Sequence, residues 1–309
     1  MKLAFLYAGQ GAQHVGMGRD LYEIYPAFRQ VLDSAPVDFD LKKLCFDGPE
    51  DQLNDTRYTQ PCMVAFAAGV TALLREAGIT PDYAAGLSLG EYSALQCVGV
   101  FDAKTAISLV AFRGQAMADA VQGRPCGMAA VLGMDRDALK AVCTEASDAG
   151  VVECTNFNCP GQIVISGDAA AVDKAGELAK AAGAKRVLPL KVSGPFHTSL
   201  MAPAGDALRE KFQSVDFGAM EIPVLFNCLG DLKGEADTIP NLLEQQVQSS
   251  VYLEDTIRRL GELGVDTVVE IGHGRTLSGF VKKTVKGIKC YPVETAEELQ
   301  AAIAALRGE

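Results

Sequence analysis

Residues 86–92 read GLSLGEY, a G-x-S-x-G segment that follows a short apolar run and precedes a helical pattern. A serine on the tight turn between a strand and a helix, with glycines on both sides, can present its hydroxyl at the end of a sheet. The start of the helix adds backbone N–H groups and a positive dipole end. The segment therefore predicts Ser88 as a nucleophile in an α/β fold. The alternative is a chance match, since the chain has 31 glycines.

The segments around this turn alternate between predicted strands and helices. KLAFLYA at residues 2–8 predicts the first strand, and DTVVEI at residues 266–271 predicts a late one. Helical periodicity covers residues 19–32, 61–77 and 102–121. Strands alternating with helices in this way are typical of α/β proteins with a parallel sheet.

A different order of elements occupies residues 123–192. Four strand patterns and two helical patterns follow each other there as β-α-β-β-α-β, the ferredoxin-like arrangement. The strand patterns cover residues 127–133, 151–157, 162–167 and 184–192. Asp135 and Asp168 are candidate N-caps of the two helices. We therefore predict a large α/β domain, residues 1–122 and 193–309, with an inserted small ferredoxin-like α+β subdomain, residues 123–192.

The composition argues against several classes of function. A net charge of −11 disfavours a nucleic-acid or anionic-membrane partner. No stretch approaches the roughly 18 apolar residues that cross a bilayer, and the N-terminus does not have the pattern of a secretory signal. The nine cysteines show no zinc-ligand spacing. They favour reduced thiols, so we expect a cytoplasmic protein without a metal site.

A nucleophilic serine needs a base, and the chain has three histidines. His14 follows the first predicted strand, His197 lies in SGPFHTSLM, and His273 lies in EIGHGR. All three occupy strand-to-helix turns, where the active sites of parallel sheets gather. Their positions alone therefore leave the choice of base open.

Two further segments carry polar residues with alternative interpretations. Arg113 lies within the apolar helix pattern AISLVAFRGQAMADAV. It is either a surface residue with its stem on apolar side chains or a bidentate partner for a carboxylate. The glycine-rich segment GQGAQHVGMG, residues 9–18, lacks the spacing of a nucleotide-binding motif. It is either an ordinary tight turn or a segment that brings a donor to an oxyanion hole.

Several longer motifs occur in order along nearly the whole chain: AGQGAQ, GLSLGEYSAL, AFRGQAM, NFNCPGQIVISG, SGPFHTSLM and EQQVQSSV. Together they resemble the malonyl-CoA:acyl-carrier-protein transacylases. The resemblance implies that the large domain is α/β-hydrolase-like, of the patatin/FabD-like type. It also implies malonyl-CoA and CoA as substrate and product, acyl carrier protein as partner, and no cofactor beyond the phosphopantetheine on that partner. We expect a monomer that serves fatty acid biosynthesis.

The resemblance assigns three central roles. Ser88 would be the acylated nucleophile, and His197 would be the general base. Arg113 would bind the free carboxylate of the malonyl group. Two positions depart from the family pattern: Leu87 replaces the usual histidine before the nucleophile, and His273 replaces a usual proline. The second departure makes His273 a less suitable base than His197.

Supporting roles follow from the resemblance for five further residues. Gln10 and the backbone N–H of Leu89 would line the oxyanion region. The main-chain carbonyl of Gln246 would orient the histidine. Met117 would pack near the acyl group, and Phe196 would favour malonyl over bulkier methylmalonyl units.

Carrier proteins of this pathway are acidic, and so is this chain. Docking therefore needs a local basic patch. Basic residues cluster on a late helix and in the small subdomain, and they are Lys282, Lys283, Lys286, Lys185, Arg186 and Lys191. Of these, Lys282 and Lys283 are the predicted docking residues. The alternative is a solvated helix face.

Other functions stay open beside the transacylase. A serine esterase or thioesterase of the α/β-hydrolase type would place an acidic residue between the serine and the histidine, and no acidic residue here has a convincing motif. An acyltransferase that serves a polyketide synthase would use the same chemistry. A module without catalysis would only dock a carrier protein.

Overall fold

A computed structural model describes residues 1–190 and 194–309. The chain divides into two compact units. The first unit comprises Met1–Gly114, Asp216–Leu225 and Arg258–Glu309. The second unit comprises Gln115–Val215 and Phe226–Ile257.

Strands and helices alternate along the described chain. The strands are β1 (Leu3–Tyr7), β2 (Tyr83–Gly86), β3 (Cys126–Leu132), β4 (Val152–Cys159), β5 (Gln162–Asp168), β6 (Arg186–Pro189), β7 (Leu225–Phe226), β8 (Asp231–Leu232), β9 (Thr267–Ile271) and β10 (Lys289–Val293). The α-helices are α1 (Arg19–Ile24), α2 (Pro26–Asp33), α3 (Leu41–Asp47), α4 (Glu50–Leu53), α5 (Thr56–Glu76), α6 (Gly90–Cys97), α7 (Ala103–Asp119), α8 (Arg136–Ala146), α9 (Ala169–Ala181), α10 (Ala202–Phe212), α11 (Ile239–Val247), α12 (Leu253–Glu262), α13 (Thr276–Thr284) and α14 (Ala296–Arg307). Short 3₁₀ turns cover Ser147–Ala149 and Ser199–Met201.

The first unit is built on a parallel sheet with the strand order β10-β9-β1-β2. In the register of the central strand β1, Leu6 lies between Ala85 of β2 and Glu270 of β9. The residues of β1 and β9 are buried throughout, as expected for a parallel sheet covered on both faces. Because the strands are parallel, the turns that follow them meet at one edge of the sheet, where ligands bind in such folds.

Strand β10 was not predicted from the sequence. Its residues, KCYPV, include a lysine and Pro292, which are unusual inside a strand. The strand lies at the sheet edge with β9 as its neighbour. A proline is tolerated there because the missing N–H can face away from the ladder.

Two predicted helices have different bounds in the structure. The single helix predicted at residues 19–32 is wrong: Tyr25 is extended, with φ −110° and ψ 115°, and separates α1 from α2. The ring of Pro26 disfavours helical geometry in the preceding residue, which explains the break. The helix predicted at 61–77 begins earlier, at Thr56, because the Asp55 side chain accepts the Arg57 N–H and caps it.

The second unit contains an antiparallel sheet with the strand order β4-β5-β3-β6. In chain order these are the second, third, first and fourth strands, as in ferredoxin-like folds. Helices α8 and α9 pack on this sheet through buried side chains such as Leu139 and Val172. The second unit extends beyond residues 123–192 on both sides, so these subdomain boundaries stay a prediction. Residues 191–192 of the strand predicted at 184–192 lie outside the described residues.

One of the two predicted caps in this unit is confirmed. Asp135 accepts the N–H of Ala138 at 2.9 Å and caps α8. Asp168 precedes α9 but makes no side-chain cap. Its carboxylate instead pairs with Arg124 and accepts the N–H of Val151.

Two further features concern the cysteines and the helices. All nine cysteines are free thiols. Among the helices in the described part of the chain, none combines the length and the apolar character needed to span a bilayer.

Candidate active site

Ser88 lies in the tight turn between β2 and α6. Its φ is 51°, a left-handed conformation that is uncommon for residues other than glycine. The two glycines of the motif let the backbone pack closely here. A Cβ at Gly86 would overlap the carbonyl group of Gly90, and a Cβ at Gly90 would overlap the carbonyl oxygen of Tyr7. The G-x-S-x-G pattern is therefore a steric requirement of this strand-to-helix turn.

The turn places Ser88 at the start of α6. The N–H of Glu91 donates to the carbonyl of Ser88, so the serine already belongs to the first helical turn. Leu89 occupies the N-cap position and is buried. Backbone N–H groups at such a helix start lack partners within the helix and attract negative charge. The side chain of Leu87 lies against Gly9, because a Cβ at Gly9 would approach its Cγ to 3.2 Å.

Arg113 is a buried cation beside the serine. Its side chain is 1% exposed, so the surface interpretation of this residue is wrong. The guanidinium donates from Nη1 to Gln60 Oε1 at 2.9 Å and from Nη2 to Ser88 Oγ at 3.4 Å. It also lies over the ring of Tyr92 at 5.3 Å, a cation–π distance. Burial lowers the pKa of Arg113 from its ordinary value and raises the pKa of Tyr92 to about 12.

A chain of hydrogen bonds joins Arg113 to Gln10. A guanidinium only donates, so the Gln60 oxygen accepts from it and the Gln60 amide NH₂ donates onward. Gln60 Nε2 donates to Thr56 Oγ1 at 2.8 Å, and Thr56 Oγ1 donates to Gln10 Oε1 at 2.8 Å. Since the Gln10 oxygen is held by Thr56, its NH₂ donor group is turned away from Thr56.

Thr56 and Gln60 were not predicted as site residues. Both are buried in α5, a helix whose other buried positions are mostly apolar. Two polar residues four positions apart share one face of a helix. That spacing within an apolar helix was the available signal, because buried polar side chains need hydrogen-bond partners.

His197 belongs to the second unit and is 3% exposed. Its φ is 63°, and among the described residues only Ser88 and His197 combine a side chain with a positive φ. His197 Nδ1 lies 2.8 Å from the main-chain oxygen of Gln246. A carbonyl only accepts, so Nδ1 carries the hydrogen and Nε2 keeps its lone pair. This tautomer is the one that a general base needs.

The position of Gln246 explains why its carbonyl is available. It is the next-to-last residue of α11, where carbonyl groups have no partner within the helix. The C-terminus of a helix also favours a neighbouring positive charge. The Gln246 carbonyl therefore fixes the ring of His197 and would stabilise a positive charge on that ring.

The predicted site residues fall into both units. The first unit holds Ser88, Arg113, Gln10, Leu89, Lys282 and Lys283, and the second holds His197, Gln246, Met117 and Phe196. The structure brings Arg113 to Ser88 and Gln246 to His197. Met117 and Phe196 are buried. Lys282 and Lys283 are exposed in the last turn of α13, and Lys191 lies outside the described residues.

Comparison with known proteins adds an independent observation to this geometry. A family model described as "Acyl transferase domain" matches residues 4–304. The chain belongs to the acyl transferase family. The predicted resemblance is thereby confirmed, and the acyl transferase architecture extends over nearly the whole chain.

Relatives of this acyl transferase carry more specific names. The malonyl CoA-acyl carrier protein transacylase of Bacillus subtilis (strain 168) is 43% identical over 311 residues, covering 100% of this chain and 98% of the relative. The crystal structure of MCAT from Streptococcus pneumoniae is 44% identical, with a TM-score of 0.93, and covers 98% of this chain and all of that one. A malonyl-transacylase solved in complex with a type II PKS acyl-carrier protein is 38% identical over the full length of both chains, with a TM-score of 0.95.

Proposed function

We propose that this acyl transferase is a malonyl-CoA:acyl-carrier-protein transacylase of fatty acid biosynthesis. The observation that carries the proposal is the buried Arg113 guanidinium, 3.4 Å from the Ser88 hydroxyl. In a malonyl thioester a single CH₂ group separates the reacting carbonyl from a free carboxylate. A cation directly beside the nucleophile is therefore where the carboxylate would bind, as a bidentate pair with the guanidinium. The names of the relatives agree with this substrate.

The first half of the reaction acylates the serine. His197 Nε2 takes the proton of Ser88 while Oγ attacks the thioester carbonyl of malonyl-CoA. The negative oxygen of the tetrahedral intermediate accepts hydrogen bonds from the Leu89 N–H and the Gln10 NH₂ group; each such donor is worth about 2.7–4 kcal/mol of barrier. When the intermediate collapses, the C–S bond breaks and the proton on His197 goes to the departing CoA sulfur.

The second half runs the same steps in reverse with a different thiol. The phosphopantetheine thiol of the carrier protein gives its proton to His197 and attacks the malonyl ester on Ser88. The C–O bond then breaks and the serine recovers the proton. Both thiols use one site in turn, so the kinetics are ping-pong. No bound cofactor takes part, because the phosphopantetheine arrives on the partner. A cytoplasmic location and a monomeric state stay predictions.

Intact-mass spectrometry after mixing with malonyl-CoA tests this function. Without an acceptor, a transacylase stops at one stable malonyl adduct per chain. Addition of holo carrier protein then discharges the adduct, and the carrier protein gains the malonyl mass. Continuous release of free malonate would favour an esterase or thioesterase, and the absence of any adduct would favour a module without catalysis. Transfer only to polyketide carrier proteins would favour the polyketide acyltransferase.

Arg113→Ala is expected to lower kcat/KM for malonyl transfer by about 10²-fold or more, because a buried hydrogen-bonded charge pair is lost. Acetyl transfer should fall much less, since an acetyl group has no carboxylate. The measurement compares both acyl-CoA substrates in steady-state transfer to carrier protein. Arg124→Ala is the matched control, since Arg124 is an exposed arginine paired with Asp168. Equal losses for malonyl and acetyl would contradict the assignment of Arg113.

A double charge reversal, Lys282→Glu with Lys283→Glu, is expected to raise KM for carrier protein by about tenfold. Both lysines are exposed, so they can face an acidic partner across a docking surface. The rate of Ser88 acylation by malonyl-CoA should not change. Lys104→Glu, an exposed lysine on α7, is the control for the general effect of charge. Carrier-protein kinetics equal to those of this control would remove α13 from the docking surface.

A further inference from the structure

We propose that His14, His273 and Glu294 form a binding site for a divalent transition-metal ion of the Zn²⁺ class. One ligand atom from each residue lies within 4.8 Å of the others. All three belong to the first unit, and they lie in the turns after β1, β9 and β10, three neighbouring strands of the parallel sheet. The sequence analysis weighed the two histidines only as bases and predicted no metal site. The proposal is independent of the acyl transfer proposed above.

His14 and Glu294 are each oriented by a hydrogen bond on the polar atom that would not bind the ion. His14 Nδ1 donates to the carbonyl of Val15 at 3.0 Å, which leaves Nε2 to face Glu294 Oε1 at 2.7 Å. The second oxygen of Glu294 accepts the N–H of Gly274 at 2.9 Å. Metal-binding histidines and carboxylates are typically oriented in this way, through a hydrogen bond on the atom that does not bind the ion.

His273 is the residue that distinguishes this cluster from a simple ion pair. It is 3% exposed, and neither ring nitrogen has a hydrogen-bond partner among the residues that the structure describes. A buried polar group without a partner is rare and calls for an explanation. The ring lies between Phe66, at 4.2 Å, and His14, at 4.8 Å and nearly perpendicular. Because the ring is buried and neither nitrogen is already engaged by a described residue, a ring nitrogen can serve as a metal ligand.

The chemistry and the dimensions of the cluster select the class of ion. Two imidazoles with one carboxylate suit zinc and similar metals, whereas Mg²⁺ and Ca²⁺ prefer oxygen ligands. A tetrahedral ion with bonds of about 2.0–2.2 Å holds its ligand atoms roughly 3.4 Å apart. In this structure His14 Nε2 lies 2.7 Å from Glu294 Oε1, and the ligand atoms of all three residues lie within 4.8 Å of one another. These distances lie on both sides of about 3.4 Å, so small side-chain shifts suffice to bind the ion.

The surroundings suit a site that gains its ion from solvent. The side chain of His14 is half exposed and that of Glu294 is partly exposed, so an ion can enter and keep a water as its fourth ligand. The proton on His14 Nε2 is released to solvent when the ion takes its place. A bound ion would join the turns after three neighbouring strands and thereby stabilise the first unit.

Calorimetric titration of the full chain, free of any affinity tag, with ZnCl₂ tests the proposal. We expect one Zn²⁺ per chain and a melting temperature that rises with the Zn²⁺ concentration. MgCl₂ should have neither effect. His273→Phe, which keeps an aromatic ring against Phe66, should weaken Zn²⁺ binding by at least about 100-fold, since even residues that only orient a ligand contribute 10–100-fold. Glu294→Gln should weaken it in the same direction.

Thiols are the competing zinc ligands in a chain with nine free cysteines. The pair Cys143 and Cys154, with sulfurs 3.8 Å apart, is one such competitor, so Cys143→Ser is the control and should bind Zn²⁺ as the parent does. Co²⁺ in place of Zn²⁺ should give an absorption spectrum without a thiolate charge-transfer band. Binding that is unchanged in His273→Phe and Glu294→Gln, a thiolate band, or no stoichiometric binding at all would each overturn the proposal. If His273→Phe does not fold, His14→Gln, at an exposed position, supplies the same comparison.

Discussion

Ser88→Ala is expected to leave no malonyl adduct after incubation with malonyl-CoA, and transfer to the carrier protein should fall by at least about 10⁴-fold. In the proposed mechanism the serine oxygen forms the ester that carries the malonyl group between the two thiols. Loss of the nucleophile cannot be compensated by binding or by the remaining hydrogen-bond donors. Intact-mass spectrometry and a transfer assay measure the two effects directly.

Two further variants separate the chemistry of Ser88 from its structural role. Ser93→Ala removes a buried hydroxyl from the same helix, α6, and should keep the adduct. Ser88→Gly should be as inactive as Ser88→Ala but unfold at a higher temperature, because the φ of 51° disfavours alanine and not glycine. A malonyl adduct on Ser88→Ala would show that another residue is the nucleophile.

His197→Asn is expected to lower kcat by about 10³-fold or more, with little change in KM for malonyl-CoA. Asparagine tolerates the left-handed backbone at this position better than most residues. Its NH₂ group can also donate to the Gln246 carbonyl, as His197 Nδ1 does. The substitution therefore retains the local structure and removes the base. Steady-state and single-turnover acylation rates measure the loss.

Rescue distinguishes a missing base from a damaged fold. His197→Ala leaves a cavity in place of a buried ring, so added imidazole should restore part of its acylation rate. A merely structural histidine would show no such rescue. If His197→Asn keeps a tenth or more of the parent rate while folding normally, His197 is not the base, and the proposed mechanism is wrong.

The features that depend on local sequence were predictable. The turn at Ser88 was predicted because its two glycines permit backbone contacts that no larger residue allows. Those glycines are part of the five-residue G-x-S-x-G motif, which can be recognised directly in the sequence. The β-α-β-β-α-β order of elements in residues 123–192 was predicted because strand and helical patterns follow each other clearly along that stretch. The resemblance to relatives then assigned Arg113 and His197 to roles that their positions alone left open.

Other features depend on distant parts of the chain and were not predictable. Thr56 and Gln60 gain their importance from Arg113, which lies more than 50 residues away. The group that orients His197 is a main-chain carbonyl, which every residue has, so only the family resemblance pointed to Gln246. Strand β10 forms because its backbone pairs with β9, and this pairing outweighs the poor strand preference of Pro292. The cluster of His14, His273 and Glu294 likewise arises only because three neighbouring strands end at the same edge of the sheet.

The hydrogen-bond chain from Arg113 through Gln60 and Thr56 to Gln10 has a consequence for protein engineering. Replacing Arg113 with an apolar residue could be attempted in order to admit longer acyl chains. This substitution removes the guanidinium N–H that donates to Gln60 Oε1, so the buried Gln60 oxygen loses its hydrogen bond. A buried acceptor that loses its donor costs about 1–3 kcal/mol, and here the disturbance would extend through Thr56 to Gln10, the proposed oxyanion donor. Changing the acyl specificity of this enzyme therefore calls for simultaneous substitution of positions 60 and 113. Variants changed at position 113 alone should be less stable or less active than variants in which position 60 is changed to match.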